Sequence, residues 1–420
     1  MTDTYLTELH WRGLIQDQTP QLAERLRAGP LTGYAGFDPT APSLQLGNVV
    51  PIMLLAHLQR AGGKPLVVLG GGTGLIGDPS GKRGERLLLD PATVEENVGR
   101  QRGQFERFLE FGSGRHDAEM LDNASWLLPV DLVGFMRDIG KHFTISLMLQ
   151  KESIKRRMDE GISYTEFSYL LLQAYDFLHL YRARGCELQV GGSDQWGNIT
   201  AGIDLIRRVA AAEVHGLSAP LVTTATGTKF GKTEQGTVWL DPDRTSPYQF
   251  YQFWINQDDG DVAAFLRMFT FKSRDTIDDL LARHEGDRGA RLPHRALALD
   301  VTERVHGAGA ARSAEQASRV LFGELDPTGA DAATWELLAG EIPCRRLDLS
   351  APLSAVDLVV RAELASSNGE ARRLLAQRGI ARNGVALDAA DLTDRSHLLA
   401  GRYVWLRRGK KTDALLTVDG

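Results

Sequence analysis

Residues 31–61 read LTGYAGFDPTAPSLQLGNVVPIMLLAHLQRA. An apolar, strand-like stretch ends at Phe37, a proline-bearing loop follows, and a helical pattern begins near Gly47. Strand, loop and helix in that order form the repeating unit of an α/β domain with a mostly parallel sheet. In such sheets ligands sit beyond the carboxyl ends of the strands, so the junction holding Gln45 is a place to look for chemistry.

The same alternation continues through residues 1–224. Candidate strands are LTGYAGF (31–37), KPLVVLG (64–70), ISLML (145–149), CELQVGG (186–192) and PLVTT (220–224). Helical patterns lie near 47–61, 91–111, 131–139, 164–182 and 194–210. Residues 225–247 lack a regular pattern and read as a loop. Residues 248–321 read as a helical domain, 322–352 as a loosely organised connection, and 353–420 as a small compact α+β unit.

With 420 residues, 43% hydrophobic and 24% charged, the chain can bury sizeable cores in two or three domains. It has no run of 18 apolar residues and no signal-peptide layout, and its two cysteines, Cys186 and Cys344, are far apart. A cytoplasmic protein without membrane contact, disulfide framework or bound metal is expected. The net charge is −6, yet from Ser354 onward 11 Lys+Arg face 8 Asp+Glu, so this tail is +3 and the remainder −9. A basic tail on an acidic body suits a polyanionic partner.

The run GGGTGLIGDPSGKRGER (70–86) contains Gly72, Gly74 and Gly77 in a formal GxGxxG spacing. The turn-like Asp78-Pro79-Ser80-Gly81 follows where a dinucleotide fingerprint needs a helix. A Walker A loop fails too, because Arg83 stands where Ser or Thr is required. Either a flexible turn or a backbone passing close to a ligand accounts for the glycines. In SYTEFSYLLLQAYDFLHLYRARG (163–185), Tyr169, Gln173 and Asp176 stand at i, i+4 and i+7, which places them on one helix face. Burying a carboxylate and an amide among leucines and Phe177 is costly unless something bonds to them. They bond either to their own surroundings or to a small polar molecule. Asp194, after CELQVGG, reads equally as a helix N-cap or a ligand group in the same crevice as Asp78 and Gln45.

Together, GFDPTAPSLQLGN, GGTGLIGDPSGK, QAYDF with GGSDQWGN, and GTKFGKTE closely resemble the bacterial tyrosyl-tRNA synthetases, which are class I aminoacyl-tRNA synthetases. The resemblance spans nearly the whole chain. It implies a Rossmann-like catalytic domain, a helical domain that meets the anticodon arm, and a C-terminal RNA-binding module. The implied reaction is activation of L-tyrosine by ATP, followed by transfer to tRNA(Tyr) in a homodimer, with Mg²⁺ arriving on ATP. By resemblance SLQLGN is the HIGH-type motif and KFGKT the KMSKS-type motif. Thr40, Gln45, Asn48, Lys82, Arg86, Lys229, Lys232 and Thr233 would serve catalysis.

The resemblance assigns Tyr34 and Asp176 to the phenolic hydroxyl of tyrosine, and Tyr169, Gln173 and Asp78 to its ammonium group. Thr73 and Asn123 fall near the same amino end, and Gln195 near the carboxyl group. Asp38, Gly47, Gly192, Asp194 and Lys232 would meet ATP. Arg372, Arg373, Arg378 and Arg382, read as one side of a helix, and Arg407 and Arg408 of the following strand would meet RNA. Position 45, usually His in the family, is Gln, and Ala35 stands where some relatives carry Cys. These departures keep two other readings open: a specialised paralogue, slower or acting on a tyrosine analogue, and a non-catalytic RNA-binding protein on a synthetase scaffold.

Overall fold

A computed structural model describes residues 4–80, 88–151, 154–155, 161–223, 230–233 and 236–418. Its chain contacts define two compact units, Met1–Thr245 with Gln257–Leu297, and Ser246–Asn256 with Ala298–Gly420.

The first unit is built on six strands: β1 (Asp17–Gln18), β2 (Thr32–Phe37), β3 (Lys64–Leu69), β4 (Glu119–Asp122), β5 (Cys186–Gly192) and β6 (His215–Ala219). They lie in the order β1-β6-β5-β2-β3-β4. All neighbours are parallel except β1 and β6. The central strands are apolar without alternation because helices cover both faces. In β3, Pro65 through Leu69 are all buried. The Val49–Arg60 helix buries residues on every side for the same reason. From β2 the chain builds outward through β3 and β4, then returns to lay β5 on the other side of β2. That reversal opens a crevice at the carboxyl ends of β2 and β5.

Expected and observed elements differ in places. ISLML is the helix Ile145–Leu149, not a strand; a short apolar run carries no periodicity that separates the two. The strand expected at 220–224 lies at His215–Ala219, and Pro220, lacking an N–H for the ladder, follows it directly. Strand β4 escaped the sequence reading: it is four residues long and only half-buried.

Two strands, β7 (Lys232–Thr233) and β8 (Gly236–Thr237), pair within the loop expected at 225–247. The helical stretch expected at 248–321 is shared between the two units, since helices Asp259–Phe269 and Arg274–Gly286 belong to the first.

The second unit carries β9 (Cys344–Arg346), β10 (Leu353–Ser354), β11 (Ile380–Arg382), β12 (Val385–Ala386), β13 (Leu392–Thr393), β14 (Tyr403–Arg408) and β15 (Thr412–Thr417). Five of these form a sheet in the order β12-β11-β14-β15-β9. Residues 322–352 are therefore no loose connection. They hold the helix Ala332–Glu341 and strand β9, which pairs parallel to β15. Trp335 on that helix is fully buried and packs with Trp405 and Leu415 of the sheet. The basic helix of this unit stops at Ala376. Arg378 follows with a positive φ of 52°, and Arg382 lies in β11, so the four arginines do not share one helix face.

Candidate active site

The crevice is a cleft of about 590 Å³ at the switch point of the sheet. Its floor is the Tyr164–Arg184 helix, started by Ser163 capping the Glu166 N–H and ended by Gly185 in the left-handed region. Tyr169, Gln173 and Asp176 all line the cleft, as their spacing predicted.

Two hydrogen-bonded groups hold this floor. In the first, Tyr169 Oη donates to Asp38 Oδ2 at 2.9 Å, and Thr73 Oγ1 donates to Asp38 Oδ1 at 2.8 Å. Asn123 Nδ2 donates to Thr73 Oγ1 and to Asp176 Oδ2, each at 2.9 Å. Trp126 Nε1 donates to the other Asp176 oxygen at 2.7 Å. In the second, Gln195 Nε2 donates to Asp78 Oδ2 at 2.6 Å and Gln173 Nε2 to Gln195 Oε1 at 3.2 Å. Asn198 Nδ2 donates to Gln173 Oε1 at 2.8 Å. Asp38 sits just past β2, Asp78 in the loop beyond β3 and Asp176 on the floor helix, so the sheet topology brings together residues from five separate segments.

Burial pushes the Asp176 carboxyl up to about 7, against the opposing donations of Asn123 and Trp126. Each Asp176 oxygen thus has a donor from the protein itself, the first of the two readings the sequence left open. The orphan is Tyr34: it is 1% exposed, lines the cleft, and its hydroxyl has no hydrogen-bond partner among the described residues. Burial, with the negative charge of Asp176 second, holds that phenol well above its ordinary range. A buried hydroxyl left without a partner beside a pocket is a docking point for a ligand's polar atom.

At the other end of the cleft the residues 45–48 form a tight turn. Gln45 N donates to Asn48 Oδ1 at 2.8 Å and Asn48 N to Gln45 O at 2.9 Å. The helix Val49–Arg60 starts here, and its free N–H groups and positive dipole end favour an anion. Gly47 is exposed, with open space where a side chain would stand. Thr40, Gly192 and Asp194 also line the cleft.

The second signature stretch returns to the same turn. Leu46 N donates to Val238 O at 3.0 Å and Val238 N to Gly231 O at 2.9 Å. Phe230 lines the cleft and packs its ring against Phe265 and Phe269, centroids 4.9 Å and 5.0 Å away. Lys82, Arg86 and Lys229 lie outside the described residues, as do the side chains of Lys232 and Thr233.

The glycine run has an unforeseen cause. A Cβ on Gly70 would strike Asp38 and Thr73, and one on Gly71 would strike Asp122. These two glycines make room for the protein's own Asp38, Thr73 and Asp122 side chains, and Gly70 also lines the cleft. Trp126, Asn198 and Gln189, the last buried in the cleft with Oε1 unpartnered, also escaped the sequence reading. Gln189 was detectable as a polar residue inside an apolar strand. Trp126 follows the missed β4 and was not.

In the second unit, Arg372, Arg373 and Arg378 are exposed. Arg407 instead pairs with Asp413 at 2.7 Å, and Arg408 with Glu370 at 3.3 Å. Arg382 donates to Leu392 O and Thr393 Oγ1. The latter three are tied into the module's own structure.

A switch-point crevice lined in this order, followed by a helical segment and a small β-rich module, is the architecture of a class I aminoacyl-tRNA synthetase. Residues 26–323 match the family described as tRNA synthetases class I (W and Y), and residues 337–416 match the tyrosine–tRNA ligase SYY-like C-terminal domain. The chain belongs to the bacterial-type tyrosyl-tRNA synthetase family. It is 54% identical to a tyrosine–tRNA ligase of Anaeromyxobacter dehalogenans, over 97% of each chain, and 46% identical to one of Mycobacterium leprae, over 99% of each. Among solved structures it resembles the C-terminally truncated mitochondrial tyrosyl-tRNA synthetase of Coccidioides posadasii. The TM-score is 0.67 at 32% identity, covering 74% of this chain and 91% of that one.

Proposed function

We propose that the chain activates L-tyrosine with ATP and transfers the tyrosyl group to tRNA(Tyr). The observation that carries this reading is that one cleft is lined both by the Tyr34 hydroxyl, unpartnered among the described residues, and by the buried Asp176 carboxyl. A substrate phenol would accept from Tyr34 and donate to Asp176. Phenylalanine would leave Tyr34 unsatisfied.

In the proposed first step a tyrosine carboxylate oxygen attacks the α-phosphorus of ATP, and the bond to the bridging oxygen breaks to release pyrophosphate. No side chain acts as nucleophile; donors placed for the developing charge do the work. Asp78, Tyr169 and Gln173 would hold the ammonium, with Thr73 and Asn123 bracing that end and Gln195 near the carboxylate. Asp38, Gly47, Gly192 and Asp194 would receive the nucleotide. Thr40, Gln45, Asn48, Lys82, Arg86, Lys229, Lys232 and Thr233 would contact the phosphates, and Mg²⁺ would enter as part of MgATP. In the second step the terminal ribose hydroxyl of tRNA attacks the tyrosyl carbonyl carbon and AMP leaves.

Arg372, Arg373 and Arg378 are the arginines we assign to tRNA. A homodimer in the cytoplasm is part of this proposal, as the family resemblance implies. No helix among the described residues is long and apolar enough to cross a membrane. The test is tyrosine-dependent exchange of labelled pyrophosphate into ATP, with phenylalanine as control, followed by charging of tRNA(Tyr). Exchange with neither amino acid would leave only the RNA-binding reading standing.

A further inference from the structure

In the first unit, away from the described cleft residues, Asp259, His284 and His294 bring one ligand atom each to within 4.8 Å of one another. Asp259 opens the helix Asp259–Phe269, His284 lies in the last turn of Arg274–Gly286, and His294 lies in the first turn of Leu292–His306. His294 is fully buried and His284 is 7% exposed; neither ring nitrogen of His284 has a hydrogen-bond partner among the described residues, and the His294 ring has the Gln257 main chain beside it but no well-formed hydrogen bond. Buried imidazoles ordinarily satisfy at least one nitrogen.

We propose that these three side chains bind a divalent transition metal of the zinc class. Both Nε2 atoms face one carboxylate oxygen: Asp259 Oδ1 lies 3.2 Å from that of His294 and 3.5 Å from that of His284. Neither contact has hydrogen-bond geometry. Zinc bonds to nitrogen and oxygen of about 2.0–2.1 Å make the edges of a tetrahedron about 3.3–3.4 Å, which both separations match. Two imidazoles and one carboxylate suit zinc or cobalt, whereas calcium and magnesium prefer oxygen throughout.

A neutral imidazole offers the lone pair of one ring nitrogen to a metal. The Arg291 guanidinium is turned to Gln257 O, to which Nη2 donates at 3.1 Å. The Asp259 side chain is 47% exposed, which gives the ion a way in and leaves a fourth position to water. Bound there, the ion would staple two helices of the first unit to the first turn of Leu292–His306.

The test uses untagged, full-length protein stripped by a chelator and titrated with Co²⁺, then Zn²⁺. Expected are one Co²⁺ per chain with the visible absorption of four-coordinate cobalt, displacement by Zn²⁺, and a higher unfolding temperature. Asp259→Ala and His284→Gln should each weaken Co²⁺ binding by about tenfold or more, with tyrosine-dependent pyrophosphate exchange as in the parent. Absent cobalt bands, or undiminished affinity in Asp259→Ala, overturns the proposal. Asp259 is exposed enough for its variant to fold even where His284→Gln does not. Failure here leaves the tyrosine reading untouched, because that rests on exchange.

Discussion

Gln45 lines the cleft beside the start of the Val49–Arg60 helix, and Asn48 Oδ1 already receives its main-chain N–H. The Asn48 oxygen is thereby occupied and its Nδ2 remains as the donor, while Gln45 offers an amide where the family usually has imidazole. Gln45→His should raise the kcat/KM of pyrophosphate exchange by about 5- to 30-fold, the equivalent of ~1–2 kcal/mol of transition-state stabilisation. An unchanged or slower rate would show that Gln45 is compensated. Tyr34→Phe removes a hydroxyl that has no hydrogen-bond partner among the described residues. Thermal stability should hold or rise, while preference for tyrosine over phenylalanine falls by about fivefold or more. Asp176 gives a pH signature. Its carboxyl sits at about 7 when free. A bound phenol that donates to it, and an ammonium nearby, favour the ionised form and lower that value. Tyrosine binding then expels a proton, so affinity should climb as pH rises through 7 and level off above it. A titration of tyrosine affinity against pH should show that step in the parent and lose it in Asp176→Asn.

The strand-loop-helix at 31–61 and the polar stripe on the Tyr164–Arg184 helix were readable because period and spacing alone put Tyr169, Gln173 and Asp176 together on one face. Strand β4 was not, and with it went Trp126, which closes the Asp176 carboxylate. Asp259, His284 and His294 come from three helices with no local spacing motif, so only folding brings them within reach of one another and the expectation of no metal had nothing to set against it. The KFGKT stretch was readable as a motif, but its anchor was not: Phe230 is held by Phe265 and Phe269, residues far along the chain. That anchor holds Phe230 and Gly231 next to the Gln45 turn, and in the proposed reading Lys229 and Lys232 on either side of them would meet ATP. Phe230→Ala should lower kcat for pyrophosphate exchange by about tenfold and raise KM for ATP, leaving tyrosine affinity near the parent value. A matching loss of tyrosine affinity would mean that the aromatic cluster supports the amino-acid pocket instead.

The two compact units divide the chemistry from the polyanion. All the proposed tyrosine and nucleotide groups fall in Met1–Thr245, whereas the arginines assigned to RNA fall in Ala298–Gly420. The +3 balance after Ser354 was visible in composition, but which arginines are available was not. Arg407 is committed to Asp413 and Arg382 to the β13 strand, leaving Arg372, Arg373 and Arg378 exposed. Replacing these three with Ala should weaken tRNA charging while pyrophosphate exchange stays at the parent rate, because exchange needs no RNA. The slope of log affinity for tRNA against log salt should become shallower by about two to three, since each phosphate contact contributes ~0.7–0.9. Arg407→Ala is the contrasting variant. Breaking its pair with Asp413 should lower the stability of the module but barely alter the salt slope, and an equal change in slope for both variants would show that the paired arginines bind RNA too.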